Sequence, residues 1–405
     1  MSFNPLAEKG IPLERQLRNW SELNVQPYDK DDVHPFTRTR IITMNGIEVE
    51  AAIFSHNFAR HTRNLDLKRA LARTRAIEQQ QQKAVNWLIP GDESTLEVTI
   101  GYEQVAVELT AWVAQMEPNL YAKRCYDFGL LEDFDHLYRY ANLLDMTNPK
   151  KAEQVVGQLT EIMPGRPTKR HHRDPVDMIR RSLDAYVGDP LSALHALTIT
   201  AAEQQTMNFY MTIGNRYQEP VARGLYAEIA SVEEEHVTHY ESLLDASLSW
   251  TEMLVQHEYN ECYLYYSFMQ QEQDPRIKRI WELHLNMEIE HLRLACELMK
   301  AYDNRDPEMI LPKSLPAPVR FESNKQYVRS VLASTVDLLP NELEFVPMSE
   351  LPKDHRFYKF QEKVNDSVAI PSEQVIQDTI KAKGREYRFQ SDGRHPVPAL
   401  EEAQA

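Results

Sequence analysis

One spacing of acidic residues and histidines recurs three times and limits how this chain can fold. In each copy an acidic residue is followed three positions later by a histidine and is preceded, thirty positions earlier, by a glutamate. The three sets, each given as glutamate, acid and histidine, are Glu103, Asp133 and His136; Glu203, Glu233 and His236; and Glu258, Glu288 and His291. Because residues three apart lie on one face of an α-helix, each acid and its histidine can bind one metal ion together.

Each set falls on two neighbouring predicted helices. Capping boxes begin two of these helices at Ser94 and Ser249, and prolines begin others. The glutamate lies about 13 residues before its turn and the acid about as many after it, so at about 1.5 Å per residue both lie about 20 Å from the turn. The two carboxylates of a hairpin are therefore expected at the same height. The predicted hairpins have arms at 94–116 and 118–146, at 190–216 and 220–246, and at 250–271 and 275–302.

The three hairpins also match at an aromatic position. Tyr126, Tyr226 and Trp281 each stand seven residues before the acid. The pattern indicates an internal repeat of about fifty residues. A connector at 148–190 separates the first copy from the second.

The N-terminal segment carries weaker signals. Residues 1–64 contain prolines and charged residues and predict an irregular arm. Within it, residues 37–43 and 47–54 form a candidate strand pair around the turn Asn45-Gly46. Apolar residues at helical spacing begin at Leu65 and end before Pro90.

Residues 65–302 are therefore expected to form the helical body of the protein, with short helices at 151–163 and 176–187 in the connector. Residues 303–405 contain repeated prolines and predict an extended segment that wraps the body, with a disordered end of about a dozen residues. The expected fold is all-α: a bundle of three helical hairpins with irregular N- and C-terminal extensions.

Charge and composition exclude some partners. A net charge of −16 argues against nucleic acid or an anionic membrane, because phosphate binding needs clustered Lys and Arg. The basic run at 169–173 follows a Gly-Arg-Pro turn and is predicted to be a solvated loop. Three cysteines in helical stretches, and no apolar run of about 18 residues, predict a cytoplasmic protein without a membrane span.

The arrangement of Glu, Glu-x-x-His, Glu and Glu-x-x-His on four helices resembles the ferritin-like di-iron and di-manganese carboxylate proteins. That family includes rubrerythrins, the radical-generating subunit of ribonucleotide reductase, bacterial monooxygenases and ferritins. The resemblance covers residues 95–302, and Glu258 with Glu261 also resembles the Glu-x-x-Glu of a rubrerythrin helix. It implies a ferritin-like bundle that binds two iron ions, or iron and manganese, through the nine residues above. It also implies an oxidoreductase that activates dioxygen or peroxide.

The family builds one site from two hairpins, whereas this chain has three. The 66 residues between His136 and Glu203 allow the family's long crossover, while the 21 between His236 and Glu258 suit a simple turn. Topology thus favours the first hairpin as a partner, but ligand type favours the second and third, because Asp133 stands where glutamate is usual. The sequence leaves the grouping open. We expect the largest contributions from Glu203, Glu233, His236, Glu258, Glu288 and His291.

Two other functions are alternatives to an oxidoreductase. One is a protein that binds or scavenges iron without an organic substrate, and the other is a metal-free helical scaffold. The expected partners are a small-molecule substrate, dioxygen or peroxide, an electron-donor protein and a second copy of the chain. Polar neighbours predicted to lie on the surface or to support the ligands are Glu234, Glu235, His239 and His284. Tyrosines predicted to serve core packing before redox chemistry are Tyr210, Tyr240, Tyr263, Tyr265 and Tyr266.

Overall fold

A computed structural model describes residues 3–366, 369–384, 386–391 and 393–402, and over these ranges the protein is mostly helical, as expected. The α-helices are α1 Trp20–Leu23, α2 Pro35–His61, α3 Leu65–Asn86, α4 Thr95–Met116, α5 Leu120–Thr147, α6 Ala152–Val155, α7 Pro190–Ile213, α8 Pro220–Glu241, α9 Trp250–Gln271, α10 Pro275–Asp303, α11 Lys325–Thr335, α12 Arg356–Asn365, α13 Pro371–Lys383, α14 Arg388–Ser391 and α15 Pro398–Glu402. Short 3-10 turns lie at Leu13–Arg15, Thr168–Arg170, Pro175–Met178, Gly214–Arg216, Pro307–Met309 and Met348–Glu350. Strands β1 Leu338–Asn341 and β2 Glu344–Pro347 pair antiparallel. Within the described ranges, none of the helices has both the length and the apolar character that crossing a membrane requires.

The long helices pair into four hairpins, α2–α3, α4–α5, α7–α8 and α9–α10. Helices α4, α5, α7 and α8 pack together as one group, here called the first bundle. Helices α2, α3, α9 and α10 pack as the second bundle, and α2 contacts α7 and α4 to join the two. The expected single bundle of three hairpins is therefore wrong, because α2–α3 supplies a fourth.

Helix α2 replaces the predicted N-terminal strand pair. Pro35 occupies its first turn, and the His34 side chain accepts a hydrogen bond from the backbone N–H of Phe36. The Asn45-Gly46 turn does not form, because Gly46 lies inside the helix where α2 meets α7. A Cβ at Gly46 would lie 2.5 Å from Nε2 of Gln205, which donates to the Ile42 carbonyl. Tertiary burial has overridden the β-propensity of the Thr and Ile residues in this segment.

The connector between the first two predicted hairpins contains less helix than expected. The predicted helices at 151–163 and 176–187 are reduced to α6 and the turn Pro175–Met178. Asp135 of α5 accepts hydrogen bonds from the backbone N–H groups of Gly165 and Thr168, at 3.0 and 2.8 Å. A side chain thus satisfies backbone donors in the connector that a helix would otherwise have to satisfy.

The C-terminal segment has more regular structure than predicted. Helices α11 to α15 and the β1–β2 hairpin lie within 303–405, and α13 packs on α5 and α8 of the first bundle. Of the last dozen residues, predicted to be disordered, Pro398–Glu402 is helical, and residues 403–405 lie outside the described residues. The segment does contact the bundle, but through short helices.

Candidate metal centres

Six of the nine predicted ligands meet inside the first bundle. One oxygen each of Asp133, Glu203 and Glu233 and one nitrogen of His236 lie within 4.8 Å of one another, and Glu103, His136 and Glu233 form an adjoining group. Every one of these side chains is at most 2% exposed. Helices α4, α5, α7 and α8 each contribute, as the thirty-residue spacing predicts. The first cluster consists of Glu103, Asp133, His136, Glu203, Glu233 and His236.

Glu233 lies between the two histidines of the first cluster. Its Oε1 is 3.0 Å from Nδ1 of His136, and its Oε2 is 3.2 Å from Nδ1 of His236. Two lone pairs cannot face each other at such distances without a proton or a metal ion between them. Two ligands at about 2.1 Å from a metal and at right angles are about 3.0 Å apart, so these separations fit metal coordination. Glu233 can therefore bridge two ions with one oxygen each.

The remaining carboxylates leave oxygen atoms without partners. Among the described residues, neither oxygen of Glu203 has a hydrogen-bond donor of suitable geometry, nor do Oε2 of Glu103 and Oδ2 of Asp133. Buried polar atoms are normally paired, because leaving a charged one unpaired costs several kcal/mol (order of magnitude). A metal ion would satisfy them, so the residues present fit a dinuclear metal centre.

A carboxylate outside the cluster holds the His236 ring in place. Nε2 of His236 lies 3.0 Å from Oε2 of Glu132, which also accepts hydrogen bonds from Arg166 and Arg173. Burial disfavours ionised Glu132, but Arg173 and His171 hold its pKa well below the usual value. Glu132 therefore accepts the Nε2 proton and leaves the Nδ1 lone pair directed at the cluster.

His136 is oriented by a chain of two further groups. Nε2 of His171 lies 2.6 Å from the Arg166 carbonyl, which can only accept, so His171 donates there. Burial lowers the pKa of His171 well below its usual value. Its Nδ1 in the neutral ring is then an acceptor for Nε2–H of His136, at 3.2 Å. As for His236, Nδ1 of His136 is free for a metal.

These contacts correct the expectation for the basic run at 169–173. His171 and Arg173 are fully buried. The carboxylate of Glu132 explains the difference, because it needs cationic partners once α5 is buried. The run is thus part of the structure that supports the cluster, not a solvated loop.

The charges of the first cluster are unbalanced without a cation. Burial raises the pKa of Glu103, and the neighbouring charges of Glu233 and Asp133 raise it further. Burial likewise raises the pKa of Glu203, again with a contribution from Asp133. Burial also acts against ionised Glu233, yet His136 and His236 outweigh it and lower the pKa of this residue. Glu233 is therefore the member most firmly held as a carboxylate.

One predicted packing tyrosine contacts the cluster directly. The hydroxyl of Tyr210 donates to Oε1 of Glu103 at 2.6 Å. Tyr240 lies farther away, with its ring centroid 6.5 Å from that of His236. Tyr210 thus fixes one carboxylate while it also packs in the core.

The other three predicted ligands lie in the second bundle. Glu258 and His291 have ligand atoms within 4.8 Å of each other and of Glu78, and Glu288 forms a similar group with Glu48 and Glu261. The expected partnership of the second and third predicted hairpins is therefore wrong. The short connection after His236 joins hairpins of different bundles. The second cluster consists of Glu48, Glu78, Glu258, Glu261, Glu288 and His291.

Several residues of these clusters were not predicted from the sequence. Glu48 and Glu78 have the same thirty-residue spacing, but Gln81 stands where the histidine would be. A search for Glu-x-x-Gln as well as Glu-x-x-His would have found them. No local spacing identifies Glu132 or His171, because their contacts are made only in the folded chain.

A cavity of about 510 Å³ lies on the outer face of α8, lined by residues that include Val232, Glu235, Phe360 and Pro371. None of its lining residues belongs to either cluster. Glu235 faces this cavity and also lies 3.5 Å from Arg173, so it is buried as a supporting group and not as a ligand.

Comparisons with protein-family models, with curated proteins and with solved structures find no match for this chain, so the geometry of the two clusters carries the functional argument.

Proposed function

We propose that the first cluster holds two iron ions, or one iron and one manganese ion, and that the protein is an oxidoreductase that uses dioxygen or peroxide there. The observation that carries the proposal is the position of Glu233, with one oxygen facing Nδ1 of each histidine. The same arrangement of four helices supports the proposal that the first bundle is ferritin-like.

The donor set matches the charge and preference of such metals. Glu103, Asp133, Glu203 and Glu233 supply four negative charges, which two divalent cations balance. Carboxylate oxygens and imidazole nitrogens suit iron and manganese, whereas thiolates would favour zinc or copper. When bound, the metal pair would supply the electrons that reduce dioxygen or peroxide.

The chain itself positions the ligands and excludes water. Glu132 and His171 keep the two imidazole Nδ1 atoms directed inward, and the hydroxyl of Tyr210 donates to Glu103. Because the ligands are at most 2% exposed, bulk water is kept from the cluster. Burial also limits what can reach it, which suits a small oxidant.

The same burial favours one alternative, iron binding or oxidation without an organic substrate. The cavity on the outer face of α8 is separated from the cluster by that helix, since Val232 lines the cavity while Glu233 faces the opposite way. The two functions differ in the fate of the metal after its first reaction with oxygen. An oxidoreductase turns over with a reductant, whereas a storage protein continues to take up iron.

The test mixes anaerobic Fe²⁺-loaded protein with dioxygen and follows oxygen consumption and iron oxidation. We expect about two Fe²⁺ per first cluster to be oxidised much faster than iron in buffer, and turnover when a reductant is supplied. Glu233→Gln is expected to abolish the fast reaction because it removes the bridging carboxylate. Its matched control is Glu234→Gln, one position along α8, where the side chain is exposed.

Three results would overturn parts of this proposal. Oxidation no faster than in buffer would exclude a reactive centre, and equal rates in the Glu233→Gln and Glu234→Gln variants would exclude the first cluster as its place. Uptake of many irons per chain without turnover would favour storage.

A further inference from the structure

We propose that the second bundle holds a second, separate dinuclear metal centre, and that one of its two positions has only carboxylate ligands and takes a hard divalent cation such as Mn²⁺ or Mg²⁺. The proposal goes beyond the function assigned to the first cluster and does not depend on it. It begins from the sequence relation between the two bundles.

The two clusters are related by an offset of 55 residues. Moving back 55 positions from the α4–α5 hairpin leads from Glu103, Asp133 and His136 to Glu48, Glu78 and Gln81. Moving forward by the same number from the α7–α8 hairpin leads from Glu203, Glu233 and His236 to Glu258, Glu288 and His291. Every ligand position of the first cluster thus has a counterpart in the second, and only His136 is replaced by a residue that is neither acid nor histidine.

One half of the second cluster reproduces its counterpart. Nδ1 of His291 lies 3.0 Å from Oε2 of Glu288, 3.8 Å from Oε1 of Glu78 and 3.9 Å from Oε2 of Glu258. The corresponding distances from His236 are 3.2 Å to Glu233 and 3.1 Å to Asp133. This half, here called the histidine position, has three carboxylates around one imidazole.

A neutral side chain fixes the direction of His291. The amide nitrogen of Gln16 donates to the carbonyls of Ile11 and Met287, at 2.6 and 3.2 Å. Its Oε1 must therefore accept, and it lies 2.7 Å from Nε2 of His291. The Nε2 proton is thus bound by Gln16, and the Nδ1 lone pair faces the carboxylates.

The other half, here called the carboxylate position, differs in its ligands. Glu48, Glu261 and Glu288 have oxygens within 4.8 Å of one another. Gln81, at the place of His136, donates from Nε2 to Oε1 of Glu288 and so does not offer a nitrogen lone pair. Glu261 adds a carboxylate where the first bundle has Thr206. One imidazole has therefore been exchanged for one carboxylate.

Glu48 is held by a chain of hydrogen bonds that leads out of the second cluster. Arg18 can only donate to Nε2 of His284, at 3.1 Å, so Nδ1–H of neutral His284 donates to the hydroxyl of Tyr265, also at 3.1 Å. Tyr265 in turn donates to Oε1 of Glu48. The contact matches that of Tyr210 with Glu103, because Tyr265 stands 55 residues after Tyr210.

Unpartnered atoms inside the second cluster supply an independent argument for a ligand. Within the described parts of the chain, one oxygen each of Glu48, Glu78, Glu258 and Glu261 lacks a hydrogen-bond partner. These side chains are at most 4% exposed. Five buried carboxylates with one imidazole need cations, and a metal pair can satisfy both the charge and the free oxygen atoms.

Ligand chemistry decides which cation suits the carboxylate position. Oxygen-only donor sets suit Mg²⁺, Ca²⁺ and Mn²⁺, whereas imidazole nitrogen favours iron, cobalt and later metals. Two divalent ions would leave one negative charge on five carboxylates, which also favours strongly oxophilic cations. We therefore expect Mn²⁺ to be a good probe of this cluster.

The experiment counts Mn²⁺ bound to the full chain by equilibrium dialysis and metal analysis. We expect Glu288→Gln to bind two fewer Mn²⁺ ions than the wild type, while Glu233→Gln keeps those two. Glu261→Gln should weaken one ion at least tenfold and leave its neighbour bound. Glu282→Gln, an exposed position on α10, is the matched control.

Equal Mn²⁺ counts in the wild type and in folded Glu288→Gln would overturn the second centre. If Glu288→Gln does not fold, as judged by circular dichroism, Glu261→Gln decides, and unchanged affinity for every ion there would overturn the carboxylate position. Failure of the first cluster would look different, because Glu233→Gln would then leave metal content unchanged while Glu288→Gln still lowered it.

Discussion

The two bundles use the same helical layout but differ in the ligands it presents. The first cluster has four carboxylates and two histidines, and the second has five carboxylates and one histidine. Only two positions produce this difference, Gln81 in place of a histidine and Glu261 in place of Thr206. The comparison shows that the hairpin spacing sets where ligands meet, while single residues set which cation they suit.

The clusters also differ in what lies behind their histidines. In the first, Glu132 accepts from His236 and is itself bound by Arg166 and Arg173. In the second, the neutral amide of Gln16 accepts from His291. A charged acceptor increases the basicity of its histidine more than a neutral one does. We therefore assign redox chemistry to the first cluster and tight binding of a hard cation to the second.

The largest expected effect is the loss of stability when metal is removed from both clusters. An ion present at a hundred times its Kd stabilises the folded state by about 2.7 kcal/mol, so several ions together should raise the thermal midpoint strongly. Calorimetry of chelator-treated and metal-loaded protein measures the difference. Glu233→Gln and Glu288→Gln should each retain part of the response, and the double variant none. A wild-type midpoint that does not change with metal would contradict both centres.

A smaller effect is expected from the groups that hold the histidines. His171→Ala leaves Nε2 of His136 without its acceptor, and Gln16→Ala does the same to His291. Loss of such a partner commonly weakens metal binding by about 10–100-fold. Metal titration should show His171→Ala weakening only the first cluster and Gln16→Ala only the second, so each variant is the control for the other. Equal weakening of both clusters by either variant would mean that the bundles do not bind metal independently.

The smallest effect concerns metal preference. Gln81→His restores an imidazole to the second cluster, and His136→Gln removes one from the first. We expect the first change to raise the affinity for Co²⁺ relative to Mn²⁺ by up to about tenfold, and the second to lower it, because nitrogen donors favour the later metal. Competition titrations measure the ratio. If neither ratio changes, the difference in ligand type does not control the choice of cation.

The sequence predicted three of the four hairpins because their motifs and helix ends are local. Ser94 and Ser249 cap helices where predicted, with both halves of each capping box formed. Helix α2 was missed because Thr, Ile and Val residues suggested strands around Asn45-Gly46. What makes this segment helical is its burial against α7 and α9, which local propensity does not encode.

The grouping of hairpins was not predictable from connection length. A 21-residue link between His236 and Glu258 suggested neighbours in one bundle, yet it joins α8 to α9 across two bundles. The supporting groups were also hidden, because Gln16 contacts His291 from 275 positions away in the chain. Pairing over such distances depends on the packing of whole helices.

The most direct test of the central claim, that the chain holds two separate metal pairs, is anomalous X-ray diffraction from crystals grown with Mn²⁺. The account predicts one pair of peaks beside Glu233 and another beside Glu288, with each glutamate bridging the two ions of its pair. Anomalous peaks confined to surface carboxylates, with both glutamates free of metal, would contradict it.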